Sequence, residues 1–238
     1  MSANVVVVSG SGRYADPWHP FAETSARVAG ILSDAGHAVT VTDDVDGRLA
    51  ALANPHGSGV DLLVLNIGAG RTDEERADVE SSDERARGDL SELDAATRDG
   101  LLAHLDRGAP LLALHVSSTS LGFVPEWESV LGGIWVRGTS MHPPYSLARI
   151  DVATDAHPVV AGIHGFEVED ERYSRLRVSS EPQQLAWHEF EDARHPVLWI
   201  HRYGGAEVVY DALGHDAASY DSPEHRAIIA NAAAWLLE

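Results

Sequence analysis

Short apolar runs alternate with amphipathic segments through the first half of the chain. Residues 5–8 are four consecutive valines that stop at a turn rich in glycine and serine, which predicts a first β-strand. Helical spacing follows until Gly36, a residue typical of a helix C-terminal cap. Residues 39–42 alternate as a second strand, and residues 61–67 are apolar enough for a strand covered on both faces. This order predicts a parallel α/β sheet.

The second half alternates more like strands than helices. Four stretches extend the predicted sheet with some antiparallel pairing, namely residues 147–152, 184–190, 196–201 and 206–210. Helices are predicted over residues 126–130 and after the Ser222-Pro223 pair, a favourable N-cap and first position. Residues 71–88 are dense in charge and predict a solvated loop or an exposed flap, before leucines resume helical spacing. The chain length predicts one domain over residues 1–238.

Charge and cysteine content exclude several classes of partner and of chemistry. Acids outnumber basic residues 37 to 17 and give a formal charge of -20, so a phosphate backbone would be repelled over most of the surface. Nucleic acid and anionic membranes are therefore excluded as partners. The absence of cysteine excludes disulfides, thiolate catalysis and thiolate metal sites. The first residues lack the features of a signal peptide and no apolar run is long enough to cross a bilayer, so we expect a cytoplasmic protein.

A glycine-rich motif follows the first predicted strand. Residues 10–15 fit the G-x-G-x-x-A dinucleotide fingerprint, and Asp43 and Asp44 end the next strand near where a ribose-binding acid would lie. However, two prolines and a Trp-His pair over residues 16–20 separate the glycines from the helix. A pyrophosphate needs the helix N-terminus at the glycines. The glycines can equally serve only to turn the chain, and a nucleotide-binding oxidoreductase stays an alternative function.

Histidines and acids recur where strands are predicted to end. The buried run over residues 110–114 stops at His115, which precedes a group of hydroxyl residues. Ligand sites of parallel sheets lie outside the carboxyl ends of strands, and an imidazole there indicates acid-base work, metal ligation or hydrogen bonding to a polar ligand. The further candidates at such positions are His19, Ser117, Ser118, His142, Glu169, Asp170, Glu171, Tyr173, His215 and Asp216. We interpret the remaining histidines as structural or exposed, namely His37, His56, His104, His157, His164, His188, His195, His201 and His225.

Taken in order, these motifs resemble the trehalose-utilisation, ThuA-like family of the class I glutamine amidotransferase-like superfamily. The matching segments cover almost the whole chain and comprise Ser9-Gly10 with His19-Pro20, Leu114-His115, Leu131-Gly132-Gly133 before His142, His157-Pro158, Asp170-Glu171-x-Tyr173 and Leu213-Gly214-His215-Asp216. The resemblance implies a flavodoxin-like three-layer α/β/α sandwich with a mainly parallel sheet. It also implies that His115 stands at or next to the turn that carries the amidotransferase cysteine, so glutamine hydrolysis through a thioester is excluded.

One segment departs from the family pattern. Family members tend to carry a Gly-Arg pair before the strand that precedes the Gly-His-Asp motif, whereas this chain has Gly204-Gly205-Ala206-Glu207. Any anion contact of that arginine is therefore in doubt. The acidic segment over residues 71–89 also looks like an elaboration of this member.

The resemblance implies carbohydrate catabolism, with a sugar or an oxidised sugar derivative as the small-molecule substrate. The candidate catalytic residues are His115, Glu171 and His215, and the candidate substrate-binding residues are His19, Ser117, Ser118, His142, Tyr173 and Asp216. Glu171 and Tyr173 are expected to form a buried hydrogen-bonded pair. If His115 begins a helix, the dipole disfavours its imidazolium form. The aromatic platforms for a sugar are Tyr14, Trp18, Trp135, Tyr173 and Trp187.

Three questions stay open from the residues alone. A divalent metal such as zinc, held by some of the same histidines, is an alternative to acid-base chemistry without metal. A non-catalytic binding or regulatory module on the same scaffold is an alternative to an enzyme. The chain is also a candidate homo-oligomer.

Overall fold

A nine-stranded sheet forms the centre of the protein in a computed structural model that describes residues 2–54, 59–68 and 84–238, without the side chains of residues 84–89. The strands are β1 (Asn4–Ser9), β2 (Ala38–Thr42), β3 (Leu62–Asn66), β4 (Leu111–Leu114), β5 (Gly133–Ile134), β6 (Ser146–Val152), β7 (Phe166–Asp170), β8 (Arg177–Val178), β9 (Gln183–Phe190), β10 (Ala193–Tyr203) and β11 (Ala206–Asp211). The helices are α1 (Phe21–Asp34), α2 (Val45–Ala51), α3 (Glu84–Asp106), α4 (Trp127–Leu131) and α5 (Pro223–Leu236).

The strand order is β2-β1-β3-β4-β11-β10-β9-β6-β7. The first five strands pair in parallel, and their order is that of flavodoxin-like doubly wound sheets. From β11 onward every pairing is antiparallel. The predicted parallel sheet with an antiparallel extension is therefore confirmed. Strands β5 and β8 form a separate two-stranded sheet.

Helices pack on the sheet as the apolar pattern predicts. The apolar residues at helical spacing in α1, Phe21, Val28, Ile31 and Leu32, are buried, and Gly36 follows the helix end with φ of +94°, a left-handed conformation that suits glycine. Helix α5 begins as predicted, since the Ser222 hydroxyl accepts the backbone N–H of His225. Helix α1 packs with α5 and α2 packs with α3, which gives the three layers. No helix in the described ranges is long and apolar enough to span a bilayer.

Two predicted boundaries need correction. Residues 71–83 of the expected loop or flap lie outside the described residues, but residues 84–88 belong to α3. Glu, Arg and Ala favour helix even where apolar positions do not repeat, so the pattern missed this start. Strand β10 begins at Ala193, before Pro196, and its pairing with β9 is irregular between Pro196 and Leu198. A proline in a strand is tolerated at such an irregularity.

The glycine-rich loop after β1 packs against the protein itself. A Cβ on Gly10 would lie 2.6 Å from the Tyr14 carbonyl oxygen, so glycine is required by close packing. Helix α1 starts only at Phe21, and Asp44 caps α2 by accepting the Gly47 N–H. The geometry that a pyrophosphate needs is therefore missing, and the dinucleotide interpretation of this loop is wrong.

A largely buried ion-pair network holds the same loop in place. Arg13 donates to Asp46 and to Asp94, and its side chain is only 11% exposed. Asp46 also accepts the Tyr14 hydroxyl at 2.6 Å and the Thr97 hydroxyl at 3.0 Å. Because Asp46 lies in α2 and Asp94 and Thr97 lie in α3, this network fixes the loop that leads to His19 onto two helices.

Asp46→Ala is expected to lower the free energy of unfolding by about 2–3 kcal/mol, because it leaves a guanidinium and two hydroxyls without their shared acceptor. Urea denaturation measures the change. The matched control is Asp34→Asn, which removes a 79% exposed carboxylate that lies 3.6 Å from Arg226 and should change stability by less than about 0.5 kcal/mol. Equal effects of the two substitutions would contradict a stabilising role of the network.

Candidate functional site

Three histidines lie at the carboxyl ends of three parallel strands. His115 directly follows β4, while His19 and His215 follow β1 and β11 in loops. Carboxyl ends of parallel strands meet at one edge of a sheet. Strand β7 ends at Asp170 and brings Glu171 to the same place. One ligand atom from each of His19, His115, Glu171 and His215 lies within 4.8 Å of the others, and we name these four residues the histidine cluster.

The turn after β4 fixes the ring of His115. Its backbone φ is +39°, a left-handed conformation that is strained for a residue other than glycine. Its Nδ1 lies 2.7 Å from the Ala212 carbonyl oxygen, which only accepts, so Nδ1 carries the proton. Nε2 is then a bare lone pair, and it is buried without a hydrogen-bond partner among the described residues.

Burial keeps His115 neutral. The ring is fully enclosed, and desolvation followed by the charge of His19 lowers its pKa well below the ordinary value. The segment after it, His115–Thr119, is a 3-10 helix of five residues. The expected neutral imidazole therefore results from burial rather than from the dipole of a long helix.

Asp16 orients the second histidine. Its carboxylate oxygens lie 2.7 and 2.8 Å from Nδ1 of His19, and one of them also accepts the backbone N–H groups of Trp18 and His19. Burial would raise the pKa of Asp16, but the hydrogen bond and charge of His19 outweigh it and lower that pKa. Nε2 of His19 is consequently free of a described partner. Sequence analysis missed Asp16, although an acid three residues before a histidine in a turn was a usable signal.

Glu171 lies between two imidazoles. Its carboxylate oxygens are 3.2 Å from Nδ1 of His142 and 3.2 Å from Nδ1 of His215. Burial disfavours the charged form of each group, but the interaction of Glu171 with His215 outweighs it in both. The pKa of Glu171 is lowered and that of His215 is raised. Glu171 is therefore an ionised carboxylate held among histidines.

Asp170 fixes the backbone segments that carry Glu171 and His215 by hydrogen bonds. This fully buried carboxylate accepts the backbone N–H groups of Glu171, Gly214 and His215 at 2.7, 2.7 and 3.1 Å, and the Ser219 hydroxyl at 2.5 Å. It thus ties the end of β7 to the loop after β11. The expected buried pair of Glu171 and Tyr173 is wrong, because Asp170 is the buried acceptor and the Glu171 oxygens face histidines.

A cavity of about 510 Å³ opens beside the histidine cluster. Tyr173 stacks on the His115 ring at 4.2 Å between centroids, and Trp135 meets Tyr173 edge-on at 4.7 Å. Trp18 is 72% exposed, so an apolar ring is available to a ligand. The lining residues are Asp16, Trp18, His19, Val116, Thr119, Trp135, Arg137, His142, Glu171 and Tyr173.

Several predicted ligand contacts are absent from the cavity lining. Ser117 and Ser118 are fully buried; the first donates to the Leu65 carbonyl oxygen and the second accepts the Tyr210 hydroxyl. Their predicted substrate-binding role is therefore corrected to fastening the turn after β4. Asp216 accepts the Ala218 N–H and the Tyr145 hydroxyl, as a turn residue does.

Two predicted aromatic platforms and one departure from the family pattern also lie elsewhere. The Tyr14 ring is buried with its hydroxyl on Asp46, and the Trp187 indole N–H donates to Gln184. Gly204 and Gly205 precede β11, at the strand end opposite His215. The arginine missing there thus has no bearing on the cavity.

The histidine cluster has the donors of a metal site. Three imidazoles and one carboxylate belong to the usual ligand set of zinc, and two of the rings are oriented by acceptors behind them, Asp16 and the Ala212 carbonyl. Without a metal, the same lone pairs would accept protons or hydrogen bonds.

Comparisons with known proteins agree on one family. The sequence profile of the family ThuA, described as trehalose utilisation, matches residues 4–236. Among solved structures, the chain is similar to a ThuA-like protein from Parabacteroides merdae ATCC 43184, with 16% identity, a TM-score of 0.74, and coverage of 100% of this chain and 90% of that one. A ThuA-like protein from Bacteroides uniformis ATCC 8492 has 13% identity and a TM-score of 0.69, over 98% and 91% of the two chains.

The fold also extends to the amidotransferases. A GMP synthase protein from Thermoplasma acidophilum has 15% identity and a TM-score of 0.54, over 99% of this chain and 96% of that chain. This likeness supports the predicted amidotransferase-like fold. No curated protein matches the chain in sequence.

We expect His115 of the metal-free protein to remain neutral at pH values where an ordinary histidine, with a pKa of about 6.5, is half protonated. The unfolded chain takes up this proton near pH 6.5 and the folded chain does not, so the stability contributed by His115 falls as the pH drops below about 6.5. The pKa of His225 is shifted in the opposite direction. Burial lowers its pKa, but the Asp211 carboxylate 3.0 Å away outweighs this and raises it.

Long-range ¹H–¹⁵N spectra of the histidine rings, assigned with His115→Gln, follow both groups between pH 5 and 8. The expected result is an Nδ1–H tautomer at His115 throughout and a proton on His225 that persists above pH about 6.5. A His115 ring that titrates like a free imidazole would contradict the burial argument.

Proposed function

The chain belongs to the ThuA family, and from this premise and the site we propose that it is an enzyme that modifies a sugar or an oxidised sugar derivative at a divalent-metal centre. His19, His115, His215 and Glu171 are the proposed ligands. The observation that carries the proposal is the convergence of their four donor atoms within 4.8 Å beside a cavity. Such a convergence of bare imidazole lone pairs and a carboxylate is costly unless a cation or protons occupy it.

Zinc is the metal that this ligand set supports best. Imidazole nitrogens suit zinc, copper, iron and nickel, whereas magnesium and calcium prefer oxygen donors. Neutral imidazole is the ligating form, and the burial of His115 and the acceptors at Nδ1 of His115 and His19 favour an unprotonated Nε2. A bound divalent ion would supply polarisation of a carbonyl or hydroxyl oxygen, or activation of a water molecule.

The surrounding side chains supply the rest of the reaction. His142 lies outside the proposed ligand set, lines the cavity and contacts Glu171, so it is placed to exchange a proton with a substrate. We therefore assign proton transfer to His142 and metal ligation to His115, which its sequence position made a candidate catalytic residue. The burial of Tyr173 raises its pKa well above the ordinary value, so its phenol stays protonated and presents an aromatic ring.

The cavity suits a carbohydrate. Its volume of about 510 Å³ lies within the range of small-molecule sites, roughly 300–1,000 Å³. Trp18 and Trp135 offer rings for the apolar side of a sugar, and Thr119 and His142 offer polar groups for its hydroxyls. The family description, trehalose utilisation, supports the same substrate class.

Protein purified without added metal should contain about one equivalent of zinc by elemental analysis, and His115→Ala and Glu171→Gln should lose it. Asp16→Asn should weaken metal affinity by about 10–100-fold, because it replaces the charged carboxylate acceptor behind His19 with a neutral amide. His164→Ala, at an exposed histidine outside the cavity, is the matched control and should bind metal like the wild type. Retention of metal by His115→Ala with unchanged affinity would exclude the proposed centre.

Turnover of a panel of sugars and oxidised sugars by the metal-loaded protein, followed by mass spectrometry, tests the reaction. His142→Gln should reduce kcat by about 100-fold or more while metal content stays unchanged, since general acid-base groups contribute about that much. A wild-type protein that binds sugars but converts none of them would instead favour the binding-module alternative.

A further inference from the structure

Arg137 lines the cavity on the turn that follows Trp135. We propose that Arg137 binds an anionic group of the substrate, a carboxylate or a phosphate, and so selects an acidic sugar over a neutral one. This inference rests on the proposed function of the same cavity. Sequence analysis gave Arg137 no role.

The turn that carries Arg137 is fastened at its backbone. Ser140 donates its backbone N–H to the Val136 carbonyl oxygen at 2.8 Å, and its hydroxyl accepts the Val136 N–H at 2.8 Å. The same hydroxyl donates to the Arg175 carbonyl oxygen at 2.9 Å. Gly138 has φ of +75°, which closes the turn with a residue that tolerates this conformation. Arg137 therefore projects from a fixed point at the cavity.

The guanidinium of Arg137 has no partner among the described residues. Every other arginine with a described side chain interacts with another protein group, in a chain where acids outnumber basic residues 37 to 17. The two acids of the cavity lining are already engaged, Asp16 by His19 and Glu171 by His142 and His215. An unpaired cation in so acidic a protein leaves a position for an external anion.

The chemistry of the guanidinium limits the class of ligand that Arg137 can bind tightly. A guanidinium stays ionised at all physiological pH values, and its planar fork matches the paired oxygens of a carboxylate or a phosphate. Neutral hydroxyl groups would make weaker hydrogen bonds with it. The Trp135 and Tyr173 rings line the same cavity, and a charged contact is stronger beside apolar groups than in open water. A substrate held by Arg137 at its anionic end can meet the histidine cluster with another part.

The experiment measures binding to the metal-loaded protein by calorimetry, with D-glucose, D-glucuronate, D-glucose 6-phosphate and inorganic phosphate as probes. The variants are Arg137→Ala and Arg137→Lys. The matched control is Arg202→Ala, which removes an arginine that is 67% exposed and lies on β10 next to Glu207, at the far end of β11 from His215. Circular dichroism and metal content verify that each variant is folded and loaded.

We expect the wild type to bind one charged sugar more tightly than glucose. Arg137→Ala should weaken binding of that sugar by roughly tenfold or more and leave glucose unchanged, since a charge-assisted bidentate contact is lost. Arg137→Lys should recover less affinity for glucuronate than for the phosphate, because a point charge replaces a fork less well at a planar carboxylate. Preference for glucuronate identifies a carboxylate, and preference for glucose 6-phosphate identifies a phosphate.

Two results would overturn the inference. The first is equal affinity of the wild type for charged and neutral sugars. The second is an effect of Arg137→Ala that is uniform across probes or no larger than that of Arg202→Ala. In either case the proposed function stands if the metal-loaded protein still converts a sugar. Binding of inorganic phosphate alone, lost in Arg137→Ala, would keep an anion site but overturn the carbohydrate assignment.

Discussion

The site depends on the burial of one carboxylate, that of Asp170. A buried carboxylate is stable only with donors around it, and Asp170 obtains four, three of them backbone N–H groups. Those donors come from the end of β7 and from the loop after β11. The hydrogen bonds of Asp170 therefore join the end of β7, in the antiparallel part of the sheet, to the carboxyl end of β11, in the parallel part. Two of the backbone donors belong to Glu171 and His215 themselves. Their proximity is therefore a consequence of how the buried charge is satisfied.

The buried hydrogen-bond network of Asp170 extends through Ser219 to His225 and Asp211. The Ser219 hydroxyl that donates to Asp170 also lies 2.9 Å from Nδ1 of His225, whose Nε2 lies 3.0 Å from Asp211 at the end of β11. These groups are fully or almost fully buried. A partly satisfied polar network of this kind is costly, whereas a fully satisfied one fixes a single geometry. His225, which we expected to be structural or exposed, is buried and supports the site through Asp211 and Ser219.

Sequence analysis located the site better than it assigned the side chains. Periodicity identified β1, β4 and β11 and hence the edge where His19, His115 and His215 meet, because strand ends follow from local pattern. It could not assign Ser117, since whether a hydroxyl faces a cavity or a neighbouring strand depends on a partner 52 residues away. Asp170 was missed as a support for the same reason, since it accepts N–H groups 44 and 45 residues away, whereas the contact of Asp16 with His19 is local. The start of α3 was missed because charged residues form helix without an apolar period.

The turn after β4 fixes an imidazole at the tip of a central strand. A left-handed residue at the tip of a central strand places its side chain in the site. Here the residue is His115, whose Nδ1 is held by the carbonyl of Ala212 beyond the neighbouring strand β11 while Tyr173 stacks on its ring. The ring cannot swing toward a substrate without breaking both contacts. Only Nε2 is presented, directed at the other histidines, so the strained turn fixes a lone pair in place.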